Sequence, residues 1–376
     1  MIKRRTFTLS AGASLLAGFN TAQAQSEAKI VLGQSAPFTG PAAQLGIQFY
    51  QGAKVYFDRV NAQGGVNRRA IEIRNLDDGY EPDRCAENTK KFLADDVFAL
   101  FGYIGTPTSL AALPMATREK TPFIAPFTGA MALREPFNKY AFHVRASYND
   151  ETALIVRQLT TLDLKKIAVF YQNDAYGKAG LSGMTLALDA LGLKPVALAT
   201  VERNSVDVAA AVKTLTAAGP DAIVQVSAYK SCAAFIREAR KSGFGGNFFN
   251  VSFVGTKALA DELGKVGAGV VVSQVMPSPY SAARPIAREF AEAVKLAGTD
   301  VSANFSSIEG YIAAKVFVAG LRQAGVKATR ESLITGLESL GTQSLGGFQV
   351  SFSATDHVAS SFAELSMLTG DGRVRT

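Results

Sequence analysis

Cysteine and histidine are scarce, with two of each in 376 residues. Neither set has the spacing of a zinc site, so no metal centre is expected. Cys85 and Cys232 each fall in a helical pattern, which points to two unpaired thiols. A Walker loop and a dinucleotide fingerprint are both missing, so no cofactor is expected. Low-complexity tracts and repeats of solenoid period are also lacking. Beyond the first 24 residues no apolar run is long enough to span a bilayer. No basic stripe interleaves with aromatics, which argues against a nucleic-acid partner. A strained nucleophile turn is lacking too. Gly180-Leu181-Ser182-Gly183 comes close in letters but lies in a helical pattern, so Asp356-His357 has no nucleophile to serve. No enzymatic activity is expected.

What is present is a soluble composition, 48% hydrophobic and 19% charged, in a chain long enough for two full cores. The first 24 residues stand apart. Lys3, Arg4 and Arg5 precede a short apolar run, and Ala22-Gln23-Ala24 offers small residues for cleavage. This reads as an export signal and places the mature protein in the periplasm. Arg4-Arg5-Thr6-Phe7 resembles a twin-arginine signal, and a general secretory signal with a basic start is the other reading. Cleavage after Ala24 lowers the formal charge from +7 to +4.

Strand-like and helix-like segments then alternate. Strands are read at 30–34, 70–76, 97–103 and 121–126, with helices at 43–61, 82–95 and from the 102–110 stretch to about 118. After residue 145 the rhythm restarts. Strands are read at 166–171, 196–201, 222–226, 248–251 and 270–273, and helices at 175–191, 207–218 and 230–242. Helices at 284–297, 306–324 and 330–340 follow, and 347–352 with 362–368 reads as a closing hairpin. Such alternation implies an α/β protein with parallel sheets covered by helices on both faces. Two runs imply two doubly wound sheets.

The stretch Gly102-Tyr103-Ile104-Gly105-Thr106-Pro107-Thr108-Ser109 sits where a strand gives way to a helix. In open α/β sheets ligands bind beyond the carboxyl ends of the strands. Hydroxyls and free amides at a helix start favour an anion. Thr106 and Thr108 either cap the helix or contact such a ligand.

Several motifs occur in order: the export signal, Ala36-Pro37-Phe38-Thr39-Gly40, Asn61-Ala62-Gln63-Gly64-Gly65-Val66, Asp77-Asp78 and the glycine–hydroxyl loop. Together they resemble the leucine/isoleucine/valine-binding proteins, the extracytoplasmic solute receptors of ABC importers. The resemblance spans nearly the whole mature chain. It implies two lobes joined by a three-strand hinge, with crossings near 141–146, 273–277 and 347–350. Lobe 1 would contain 27–143 plus 277–346, and lobe 2 would contain 144–276 plus 347–376, which separates Cys85 from Cys232. The implied partners are a small carboxylate-bearing solute and a membrane permease, and the receptor would act as a monomer.

By the same resemblance, the solute carboxylate would be held at Thr106, with Thr108 beside it, and at Phe127, Thr128 and Gly129. Tyr176 and Tyr229 would come from the second lobe, and Leu45 and Phe305 would meet the apolar body. Amino-acid receptors of this kind place an acid where Ser252 stands. A serine supplies no countercharge, and burying an unpaired ammonium costs on the order of 3 kcal/mol or more. An aromatic or aliphatic carboxylate, or an amide, therefore competes with an amino acid as ligand. Glu309 is a substitute countercharge or a solvated helix residue. The disulfide common among close amino-acid-binding relatives is also absent, since Tyr80 and Gly105 occupy those places. The rival functions are a sensor of the same fold and, more remotely, an exported enzyme.

Overall fold

The computed structural model describes residues 29–298 and 301–376. The leader expected over 1–24 lies outside them. The chain opens with β1 (Ile30–Ala36), α1 (Ala43–Ala62), β2 (Ile71–Asp77), α2 (Pro82–Ala94), β3 (Ala99–Phe101), α3 (Thr106–Arg118), β4 (Phe123–Ile124) and β5 (Ala141–Phe142). It continues with α4 (Tyr148–Thr161), β6 (Ile167–Gln172), α5 (Ala175–Asp189), β7 (Ala197–Val201), α6 (Ala209–Ala217), β8 (Ala222–Val226), α7 (Tyr229–Lys241), β9 (Asn247–Asn250), α8 (Thr256–Leu263) and β10 (Val271–Gln274). Then come α9 (Pro285–Ala297), α10 (Phe305–Gln323), α11 (Arg330–Glu338), β11 (Gly341–Leu345), β12 (Phe348–Phe352), β13 (Glu364–Leu368) and β14 (Val374–Arg375).

β1 is almost wholly buried because helices cover both faces of its sheet. It begins apolar, and its later polar residues Gln34 and Ser35 are buried and hydrogen-bonded to the Gly102 carbonyl and Asp78. That sheet is parallel and ordered β2-β1-β3-β4-β5. The second sheet repeats the pattern: β7, β6, β8, β9 and β10 lie side by side in parallel. Antiparallel β13 and β14 extend it. Each sheet thus has the 2-1-3-4-5 order, whose switch point opens a crevice at the strand ends. One crevice lies between β1 and β3, the other between β6 and β8.

Helices α9 to α11 return to the first sheet, where α10 packs along α1. Glycines make that packing close. A Cβ on Gly52 would fall 1.7 Å from the Ser307 carbonyl oxygen, and one on Gly310 would fall 2.0 Å from that of Phe49. The two backbones touch where any side chain would separate them.

Two helices were not read from the sequence, α4 and α8. The expected closing hairpin is a correction. β12 pairs with β11, in register Leu345 with Phe348, across a two-residue turn. Gly346 and Gly347 both have positive φ there, which suits a tight hairpin. The later segment, β13, instead lies along β10, where Gln274 Nε2 donates to Ser366 Oγ at 2.7 Å. Both cysteines are free and buried, Cys85 on α2 and Cys232 on α7.

Candidate functional site

The loops leaving the two switch points meet face to face. In the first lobe, Asp77 at the end of β2 organises the loop after β1. Its carboxylate accepts from the amides of Phe38, Thr39 and Gly79 and from the Thr39 hydroxyl. Burial pushes this acid up, yet those hydrogen bonds outweigh it and hold it at about 2. Asp78 is buried and accepts from Ser35 Oγ and the Tyr80 amide, both at 2.8 Å. That fixes Tyr80 above the start of α3. Gly105 has φ 98° there, and a Cβ on it would strike the Tyr80 ring at 2.3 Å. The two positions where the resemblance implied a lost disulfide are therefore in contact, ring on glycine.

Thr106 opens α3 and is buried, and its Oγ1 lies 2.6 Å from Thr128 Oγ1. Thr128 Oγ1 also accepts from the Ala130 amide. Gly129 carries the loop onward, its carbonyl accepting from the Tyr148 amide at 2.8 Å. Phe127 is buried against Phe49 and Phe253. Thr108 points elsewhere: its hydroxyl donates to the Ile104 and Gly105 carbonyls of its own turn.

The second lobe answers with rings. Tyr176, near the start of α5, is fully buried and lies 4.5 Å from Phe253 and 5.4 Å from Tyr148, centroid to centroid. Tyr229 opens α7, and its hydroxyl meets the Gln44 amide across the cleft at 3.5 Å. Leu45 faces Gly255 from the opposite side. Phe305 opens α10 but packs with Tyr280 rather than with these rings. The lobes are drawn together at one rim. Arg203 reaches Glu81 at 2.9 Å, and Asn204 Nδ2 donates to the Gly79 carbonyl and the Glu81 carboxylate. Inside, Gln172 Nε2 donates to Tyr80 Oη at 3.3 Å.

The feature that sequence reasoning missed is charge at the centre. Arg145 follows β5 on the first crossing between the sheets and is 1% exposed. Its Nη2 donates to Ser252 Oγ at 2.6 Å, its Nε lies 3.0 Å from Glu309 Oε1, and its guanidinium sits 4.3 Å over the Phe127 ring. Glu309 is therefore a buried partner of Arg145 and not a solvated face. Burial lifts the Glu309 carboxyl to about 7; Arg145 pulls it down and Glu151 pushes it up. Ser252 is not a bare strand end either. Its amide and hydroxyl both donate to Glu151, which also accepts from Ser273 Oγ. Burial raises the Glu151 carboxyl too, against the pull of Arg145. The available signal was an arginine inside the apolar run Ala141-Phe142-His143-Val144-Arg145-Ala146, where only a paired cation is tolerated.

Two lobes of one topology, with hydroxyls, rings and an ion pair buried between facing strand ends, define a bilobal solute-binding protein of the type I periplasmic class. The comparisons agree. Residues 29–372 match the family model described as periplasmic binding protein, and the chain belongs to that family. It is similar to Leu/Ile/Val-binding protein homolog 7 of Brucella suis biovar 1, 25% identical over 83% of this chain and 80% of that protein. Among solved structures it resembles a possible leucine/isoleucine/valine-binding protein from Rhodopirellula baltica SH 1. That match has 33% identity and a TM-score of 0.89, covering 93% of this chain and 96% of the other. A substrate-binding periplasmic protein from Ralstonia solanacearum gives 30% identity and 0.87, covering 92% and 99%. No helix among the described residues is long and apolar enough to cross a membrane.

Proposed function

We propose that this chain is the periplasmic receptor of an ABC importer and captures a small carboxylate-bearing solute between its lobes without transforming it. The supporting observation is the joined pair Thr106 and Thr128, at the start of α3 and in the loop after β4. Hydroxyls placed at a helix N-terminus suit a carboxylate. Phe127, Tyr176 and Phe253 would enclose the apolar body. Hinge movement about the crossings near 141–146 and 273–277 and the stretch between β12 and β13, which bridges to His143 at Val358, admits the solute. Closure then presents one compact shape to the permease. The solute drives closure because it contacts both lobes only in the closed form.

A thermal-shift screen against amino acids, aromatic acids, short aliphatic acids and amides tests the reading. A true ligand at 100 times its Kd stabilises the protein by about 2.7 kcal/mol. Thr106→Ala should then weaken binding about tenfold or more with the fold intact, since hydrogen bonds to charged groups are worth about 1.5–3 kcal/mol. Stabilisation by neutral solutes alone, or unchanged affinity in the variant, would overturn the carboxylate assignment.

A further inference from the structure

We infer that the solute is a monocarboxylate lacking an α-ammonium group, and that Arg145 is the residue that selects it. This rests on the receptor reading above. Arg145 presents one edge of its guanidinium to Glu309 and Ser252. Among the described residues its Nη1 has no hydrogen-bond partner, and neither does the buried Tyr148 hydroxyl. Arg145 lies on the crossing that follows β5, and Tyr148 opens α4 just beyond it. Arg145 and the Thr128 hydroxyl both act on the Tyr148 phenol, whose pKa burial lifts to about 12. Thr106 and Thr128 adjoin it as a hydroxyl pair. A neutral phenol and a guanidinium are both donors, and an arginine keeps its charge at every accessible pH. Two unsatisfied buried donors beside two hydroxyls describe a place for an acceptor of negative charge.

The surroundings exclude an ammonium. Each acid at the centre already has a task. Glu151 accepts from the Ser252 amide at 2.7 Å and from the hydroxyls of Ser252 and Ser273. Glu309 faces Arg145. The Ser252 hydroxyl, at the place where a countercharge would stand, itself accepts from Arg145. An α-ammonium brought there would lie beside a guanidinium, cation against cation, in a site shielded from water. A second carboxylate on the solute would find no free donor there, because the Ser252 amide and the Ser252 and Ser273 hydroxyls are already given to Glu151. What remains is one carboxylate on an apolar body, walled by Phe127, Tyr176 and Phe253.

The test is calorimetry on the mature protein with acids paired by the presence or absence of the amino group. 4-Methylpentanoate is set against leucine, and 3-phenylpropanoate against phenylalanine. The expected result is a preference of 100-fold or more for the des-amino acid in at least one pair, lost in Arg145→Gln. A circular-dichroism melt checks that this variant folds, and the wild-type comparison stands without it. An amino acid binding as tightly as its des-amino partner overturns the inference while leaving the receptor reading intact. If no acid of either kind binds, the inference and the carboxylate receptor fall together. If neither binds but an amide or sugar does, the receptor reading survives and this inference does not.

Discussion

Glu309→Gln should change how stability varies with pH, and the size of the change follows from the burial of the site. The Glu309 carboxyl is 5% exposed, and burial outweighs the attraction of Arg145, lifting it from 4.5 to about 7. At 1.36 kcal/mol per pH unit, that lift corresponds to about 3 kcal/mol. The sign follows from linkage. The folded protein holds this proton more tightly than the unfolded chain does. The contribution is therefore complete below pH 4.5 and is lost as pH rises towards about 7. Glutamine keeps the shape of the protonated acid and does not titrate. Urea unfolding of wild type and variant at pH 4.5, 5.5, 6.5 and 7.5 reads the difference. The variant should gain on wild type by about 3 kcal/mol across the series, with most of the gain below pH 7. Parallel curves would refute the reasoning. So would a slope that survives in Glu309→Gln and disappears in Glu151→Gln, because the proton would then reside on the other acid.

Two further outcomes follow from the packing. Gly310→Ala places a methyl 2.0 Å from the Phe49 carbonyl oxygen, so α1 and α10 must separate; a loss of about 1–3 kcal/mol in urea unfolding is expected. Arg203→Ala removes the rim contacts to Glu81 and Asp174, whose bridges are partly exposed and individually weak. It should raise the solute Kd only a few-fold, through faster release in stopped-flow displacement, because the closed form becomes less populated.

The elements most legible in the chain were the buried parallel strands. β6 and β8 carry near-continuous apolar runs, and a central parallel strand must look that way. Helix α4 went unread although its start signal was present. Ser147 and Asp150 form a reciprocal capping box, with Ser147 Oγ accepting from the Asp150 amide and Asp150 Oδ2 from that of Ser147. Strand partners were less legible because pairing is non-local. The turn residues Gly346-Gly347 favour the β11–β12 hairpin, but nothing adjacent in sequence announces that β13 will lie along β10. Within the site, Thr106 was marked by its place where a strand gives way to a helix, whereas Thr128 was reached only through the family resemblance; the structure brings their hydroxyls together. The ion pair was not legible, since Arg145 and Glu309 stand 164 positions apart and nothing near Arg145 in the chain names its partner.

Arg145 stands on the short segment by which the chain passes from the first sheet to the second, so on the proposed receptor reading grip and pivot would share one piece of backbone. Many machines need a linkage to carry force from jaw to fulcrum. Here the Ser147 cap and the Arg145 fork are two residues apart, and whatever seizes the guanidinium pulls on the joint itself.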